Sequence, residues 1–407
     1  MDATDSIPVE YDLRPAYYDD FHCLAGDCRM TCCKGWHITF DRKDYMKLKR
    51  VQGSPELDRR MAHCLRRIRS GPFSQHFGEF QLNGEHEDCP LHRDDGLCLL
   101  QLEKGHETLP LVCRIFPRVE GMYFPGYFER ALSPACEGVL ALLWDLPDGV
   151  DFRADPLPKA DVGEVHFSDA CRGTMMKDFQ EVRSRCIDIL QDRRTPLSQR
   201  MMLLGLALKK LVDGETDLER WLAHVQLLED QSAAGEIVLT AGTNLALFLI
   251  NNVRLLCFFS KGEVASLGQE LLHVLNFEQD KATRGSISVE PYLEARVRYE
   301  ERFAGREYFM ENLMVSVFFQ LKFPALDSME KLWKSYVAFC NMYGFYRFLA
   351  VMSCREGAAG DRDELFRMIV FGSREMVHGK AFNEIALDSL YQNDSMTLAH
   401  MAILLNN

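Results

Sequence analysis

The chain has 407 residues, 47% hydrophobic and 26% charged, with a net charge of −13 and a pI near 5.5. That length exceeds one ordinary domain and supplies enough apolar residues for a substantial core. The acidic balance argues against non-specific binding to nucleic acid or anionic membranes, which needs a surplus of Lys and Arg.

Met1 to Ser6 carries neither the basic nor the apolar region of a secretory signal. The most apolar stretch, Leu245 to Phe259, is interrupted by Asn251, Asn252 and Arg254, so no span of roughly 18 uninterrupted apolar residues is present. A cytoplasmic location is expected, and its reducing conditions leave thiols free for metal or catalysis. Residues 1–145 are punctuated by Gly and Pro and are expected to form a loop-rich, cysteine-rich metal module. Helical pattern shows there at 44–50 and 56–69, and short strands are expected at 36–40, 77–82 and 122–129. Residues 146–162 hold three prolines and four aspartates in seventeen positions and predict a linker without regular structure.

From 163 to 407 the pattern turns helical. Leucines recur at three-and-four spacing over 200–211 and 218–228. One long helix is expected to start after Pro291, present Met310, Leu313, Met314, Val317 and Leu321 on one face, and end at Pro324. Further helices are expected at 329–352, 362–378 and 383–405. No glycine-rich fingerprint follows an apolar strand, so the fold class expected is mainly α with no Rossmann-type sheet.

Nine of the fourteen cysteines lie in the first 136 residues: Cys23, Cys28, Cys32, Cys33, Cys64, Cys89, Cys98, Cys113 and Cys136. Structural zinc favours paired Cys-x2–4-Cys knuckles. Cys28-x3-Cys32 fits one, whereas Cys89-x8-Cys98 does not. A polynuclear iron–sulfur cluster tolerates wider and less regular spacing, so iron–sulfur, zinc, and plain buried or redox thiols all stay open. Arg114 and Arg118 flank Cys113 and are candidates to offset the charge of a thiolate-bound cluster from its surroundings, or else to pair with surface acids. Cys64, Cys171, Cys186, Cys257, Cys340 and Cys354 read as small apolar residues on helices. His22, His37, His86 and His92 are possible substitutes for a thiolate.

The string Tyr17-Tyr-Asp-Asp-Phe-His-Cys-Leu-Ala-Gly-Asp-Cys-Arg-Met-Thr-Cys-Cys-Lys-Gly-Trp36 comes first. Cys89-Pro90, Asp95-Gly-Leu-Cys98, Leu109-Pro-Leu-Val-Cys-Arg-Ile-Phe-Pro-Arg118 and Glu129-Arg-Ala-Leu-Ser-Pro-Ala-Cys136 follow in order. Together they closely resemble the flagellin lysine N-methylase family, sharply over residues 17–138 and in organisation over the rest. The resemblance implies a protein-lysine N-methyltransferase that modifies flagellin with S-adenosylmethionine as methyl donor. It also implies a [4Fe–4S] cluster held by some of Cys23, Cys28, Cys32, Cys33, Cys89, Cys98, Cys113 and Cys136, with Cys28, Cys32 or Cys33, Cys89 and Cys98 as the first choice.

Methyl transfer to lysine needs a neutral amine, although free lysine titrates near 10.4. The protein must desolvate the amine or supply a base. Tyr17, Tyr18, Asp19, Asp20 and Glu129 are the candidates in the cysteine-rich part. Two competing readings are a zinc-stabilised flagellin-binding module without catalysis and an iron–sulfur electron-transfer protein.

Overall fold

The computed structural model describes residues 11–35, 38–69, 76–84, 88–124, 127–156, 178–237, 244–257, 262–277, 286–324, 329–378 and 396–407. The chain opens with strand β1 (Tyr11–Pro15) and, after the cysteine loop, enters strand β2 (Thr39–Phe40). Helix α1 (Arg42–Leu48) starts where the Asp41 carboxylate accepts from the Asp44 N–H at 2.7 Å. Helix α2 (Pro55–Cys64) has Ser54 as its cap and Pro55 in its first turn. Strands β3 (Leu65–Arg67) and β4 (Gly78–Phe80) complete a small antiparallel sheet in the order β2-β4-β3. Of the expected strand at 36–40, residues 36 and 37 lie outside the described residues.

Two short helices follow, α3 (Leu99–Lys104) and α4 (Leu111–Ile115). The expected strand at 122–129 is instead a hairpin of β5 (Arg118–Phe124) and β6 (Tyr127–Leu132). Helix α5 (Glu137–Trp144) and strand β7 (Phe152–Pro156) close this part. The larger sheet runs β5-β6-β1-β7, with β1 parallel to β6 and antiparallel to β7. The stretch read as an unstructured linker therefore contains a strand. Its position at the sheet edge explains how: an edge strand tolerates Pro156, and Asp155 pairs with Arg14 of the neighbouring strand at 2.7 Å. Residues 157–162 lie outside the described part.

The remaining elements are helical: α6 (Phe179–Gln191), α7 (Leu197–Val212), α8 (Leu218–Ala233), α9 (Leu245–Leu256) and α10 (Gly262–Val274). Where one helix was expected after Pro291 there are two, α11 (Glu290–Arg302) and α12 (Tyr308–Gln320). Gly305 sits between them at φ +77°, a left-handed conformation that a continuing helix does not admit. Helices α13 (Met329–Met352) and α14 (Arg362–His378) match the expected ranges. The last helix covers Leu398–Leu405, and residues 379–395 of the expected 383–405 helix are not described. The chain is thus mainly α, and no Rossmann-like sheet occurs among the described residues. None of the described helices is long and apolar enough to cross a membrane.

Two separate cores result. The small one gathers Ile38, Phe40, Leu48, Leu57, Phe80 and Leu100 under the cysteine-rich loops. The large one is built around α13, whose Tyr336, Phe339, Phe345 and Phe348 are buried on every side, as an apolar helix in a core interior must be. Tyr17, Leu132 and Val139 join this large core, so the four-stranded sheet and α5 pack on the helices rather than on the small core.

Glu129 of β6 anchors that packing. It is fully buried, forms an ion pair with Arg183 of α6, and lies 3.3 Å from the Lys322 amine just past α12. Glu129→Gln would leave two buried cations facing a neutral partner. A loss of ~3–5 kcal/mol in unfolding free energy is expected from urea titration. Burial pushes the Lys322 amine down from 10.5 to about 8, against the pull of Glu129. Between about pH 8 and 10.5 the unfolded chain therefore holds a proton that folded Lys322 has released, so this residue adds stability as pH rises. Lys322→Met should remove that slope, seen as a wild-type gain over the variant confined to the alkaline window.

Candidate metal centre

Four segments bring the cysteines together. The first is the loop from Cys23 to Cys33. The second is the Cys89–Cys98 turn, closed by His92 N–H on the Cys89 carbonyl at 2.9 Å and by Leu99 N–H on Leu91 at 2.8 Å. These two loops touch backbone to backbone. A Cβ on Gly26 would lie 2.9 Å from the Asp95 carbonyl, and one on Gly96 would lie 2.9 Å from the Gly26 carbonyl, so only glycine fits at either place. The Cys89 N–H adds a bond to the Cys33 carbonyl at 2.8 Å. The third segment is α4, which carries Cys113 and is held by its Leu111 N–H on the Asp44 carboxylate at 2.6 Å. The fourth is Cys136, at the start of α5.

All eight thiols of the expected set fall in this one neighbourhood, divided between two walls. Cys33, Cys89, Cys98 and Cys113 pack on the small core. Cys136 packs on the large one. The Cys28 thiol faces Glu137, the residue after Cys136, at 3.7 Å. Cys23 and Cys32 are exposed. Burial raises the Cys28 and Cys89 thiols to about 12 and Cys136 to about 11, and it raises Cys98 and Cys113 as well. The charges of Cys89 and Cys98 act on both Cys33 and Cys113. Cys32 is lowered to about 7, first by a hydrogen bond with the Cys33 thiol and then by the charge of Arg374; the same pairing raises Cys33.

The donor chemistry fits a thiophilic metal, and the Nε2 atom of His92, inside the Cys89–Cys98 turn, is buried without a hydrogen-bond partner. As the side chains stand, no group of three or more His, Cys, Asp or Glu among the described residues is arranged to hold a metal ion. Metal sites commonly close only on loading, when the bound cation draws deprotonated thiolates together.

Three side chains outside the expected set organise this neighbourhood. The buried Glu137 carboxylate accepts from the Arg29 and Met30 N–H groups at 2.8 and 3.0 Å, fixing the backbone after Cys28. Arg29 also pairs with Asp363 at the start of α14. Arg374, near the other end of α14, donates to the carbonyls of Met30, Thr31 and Lys34 at 3.0, 2.9 and 3.2 Å. Glu137 had a local signal, since it follows Cys136 directly. Asp363 and Arg374 lie more than three hundred residues from the loop they hold, and nothing in their own segment marks them.

Other expected residues have different partners. Arg114 pairs with Glu107 at 2.9 Å, and Arg118 lies over the rings of Tyr18 and Phe21 at 5.5 and 5.3 Å. His22 bonds the Asp20 carbonyl at 3.0 Å, while His37 and His86 lie outside the described residues. Tyr17 bonds Ser316 in the core and is pushed up to about 12 by burial. Asp19 is held low by Arg14, and Glu129 is enclosed in its ion pairs. Of the cysteines read as core residues, Cys64, Cys186, Cys340 and Cys354 are buried, Cys257 is exposed, and Cys171 lies outside the described part.

Comparison with known proteins adds a family. The model of the FliB lysine N-methylase C-terminal domain matches residues 183–404. Proteins named lysine-N-methylase from Salmonella choleraesuis (strain SC-B67) and Salmonella typhimurium (strain LT2) are each 29% identical over 136 residues, covering a third of this chain and a third of theirs. The flagellar biosynthetic protein FliU of Salmonella muenchen is 30% identical over 136 residues, which is 33% of this chain and 78% of FliU. An uncharacterised protein of Methanocaldococcus jannaschii is 24% identical over 211 residues, 44% of this chain and 67% of that one. No solved structure matches.

The clasp made by Arg374 gives a direct test. Hydrogen bonds from a charged donor contribute ~1.5–3 kcal/mol, so Arg374→Ala should speed amide exchange over residues 28–34 by roughly ten- to a hundredfold. Arg374→Lys should recover only part of the protection, because an ammonium lacks the planar fork. Unchanged exchange in the alanine variant would show that the loop is held by other means.

Proposed function

The chain belongs to the FliB lysine N-methylase family, and from that membership we propose that it methylates lysine side chains of flagellin. S-adenosylmethionine is the donor, and a [4Fe–4S] cluster is held in the cysteine-rich part. The observation that carries this reading is the family match over the helical body, joined to two relatives named lysine-N-methylase and a third named as a flagellar biosynthetic protein.

The chemistry is a displacement at a sulfonium methyl by a neutral amine, with nitrogen, carbon and sulfur in line. The candidate groups Tyr17, Asp19 and Glu129 each have a structural partner already. Desolvation is then the simplest route to a neutral substrate amine. This chain's interior does that to one of its own lysines, because burial takes Lys322 down to about 8. An incoming lysine enclosed to a similar degree would release its proton near neutral pH.

Cys33, Cys89, Cys98 and Cys113, which share the small-core wall, would hold the cluster, with Cys136 approaching from the large core. When bound, such a group supplies a cross-link between loops and a polarising iron. Arg374 holds the carbonyls of the loop in place, and Glu137 fixes the turn after Cys28.

The test is incubation of anaerobically purified protein with flagellin and methyl-tritiated S-adenosylmethionine, followed by mass spectrometry of flagellin peptides. N-methyl-lysine that appears only with both protein and donor is expected. Flagellin binding with no methyl transfer would replace this reading with the binding-module one.

A further inference from the structure

Outside the cysteine neighbourhood, the described helices enclose a cleft of about 720 Å³ between the start of α7 and helices α11, α12 and α13. That volume lies within the roughly 300–1,000 Å³ typical of small-molecule sites. We propose that this cleft is the methyl-donor site, taking S-adenosylmethionine as a zwitterionic amino acid that also carries a sulfonium and an aromatic base. The inference rests on the methylase reading and adds where its donor sits.

The cleft combines features that a filler of the core would not need. Glu311, at 1% exposure, is bonded by Arg193 at 2.8 Å and by Arg200 at 2.7 Å. Buried ion pairs of this kind commonly cost more in desolvation than they return, so their presence on a cavity wall calls for a further use. Arg200 is itself 5% exposed, and its Nε–H has no hydrogen-bond partner. That atom is closed to the cleft itself, but Arg193 and Arg194, 40% and 50% exposed on the same wall, present guanidiniums that a ligand carboxylate can reach.

Opposite it, Arg347 lies 5.0 Å over the Tyr299 ring and 3.3 Å from Glu300. Tyr299, Tyr308 and Tyr343 line the same cleft as the acidic groups. Aromatic faces attract a sulfonium and stack with a nucleobase, and Glu300 offers an acceptor for an ammonium or for ribose hydroxyls. The wall carries both signs of charge, three carboxylates (Glu300, Glu307 and Glu311) and four guanidiniums (Arg193, Arg194, Arg200 and Arg347), which suits a ligand that itself bears a carboxylate and cations. Two other cavities among the described residues lack this combination. One, at about 150 Å³, is too small, and the one beside Cys354 has arginines but no aromatic wall.

The experiment is calorimetric titration of the full-length, anaerobically purified protein with S-adenosylmethionine and with S-adenosylhomocysteine. Two variants are compared with wild type: Arg347→Ala, which removes a charge, and Ser198→Trp, which fills the cleft from the first turn of α7 without removing one. The expected result is wild-type binding of both ligands, weakened at least tenfold by each variant, with thermal unfolding and iron content unchanged. Wild-type binding that neither variant alters would overturn the cleft assignment, put the donor elsewhere (the cysteine centre foremost) and leave the methylase reading standing. Absence of binding by wild type to either ligand would overturn the donor itself, and the cleft with it.

Discussion

The guanidinium of Arg374 reaches from α14 to the cysteine loop, through the carbonyls of Met30, Thr31 and Lys34. Carbonyls at the surface of a short loop are ordinarily left to water. Here one planar cation gathers them, while Glu137 takes the amides of Arg29 and Met30 from the other side. The loop is thus pinned by a cation on its carbonyls and an anion on its amides, and the cation's charge also acts on the Cys32 thiol. The position of the thiols relative to the helical body follows from this pair, because the small core under the loops is separate from the large one.

That separation gives the molecule a physical logic. The small core is built on few large side chains and short strands, too little apolar burial to order so many loops unaided. A metal bound by several thiolates would add the missing stabilisation. The large core needs no such help, since α13 is mostly buried from Tyr336 onward and the sheet is joined to the helices by Glu129, Arg183 and Lys322. A helical body with its own core joined to a smaller cysteine-rich part suits the proposal that one positions reactants and the other holds a cofactor.

Much of this was legible in the residues. Helices α13 and α14 could be bounded from the sequence, since both follow clear breakers and run without interruption. The cysteines at 23, 28, 32, 33, 89, 98, 113 and 136 could be grouped because their motifs are ordered and dense, and the Asp95-Gly96 step has a visible cause in its contact with Gly26. The edge strand at Phe152–Pro156 was hidden, because proline and aspartate oppose a strand locally and only the pairing with Arg14 and its neighbours makes one. The break at Gly305 was missed because the apolar spacing on both sides resumes in a helical register. Arg374 and Asp363 could not have been found: their partners are distant in sequence, and charges on a long helix read as surface.

The central claim is that the thiols on these two walls serve a metal centre held against a methyltransferase body. It is tested most directly by iron, acid-labile sulfide and zinc analysis of protein purified without oxygen, alongside its absorbance spectrum. The account predicts about four irons and as many sulfides per chain, with a broad thiolate-to-iron band. Colourless protein with stoichiometric zinc, or with no metal and every thiol open to alkylation, would contradict it.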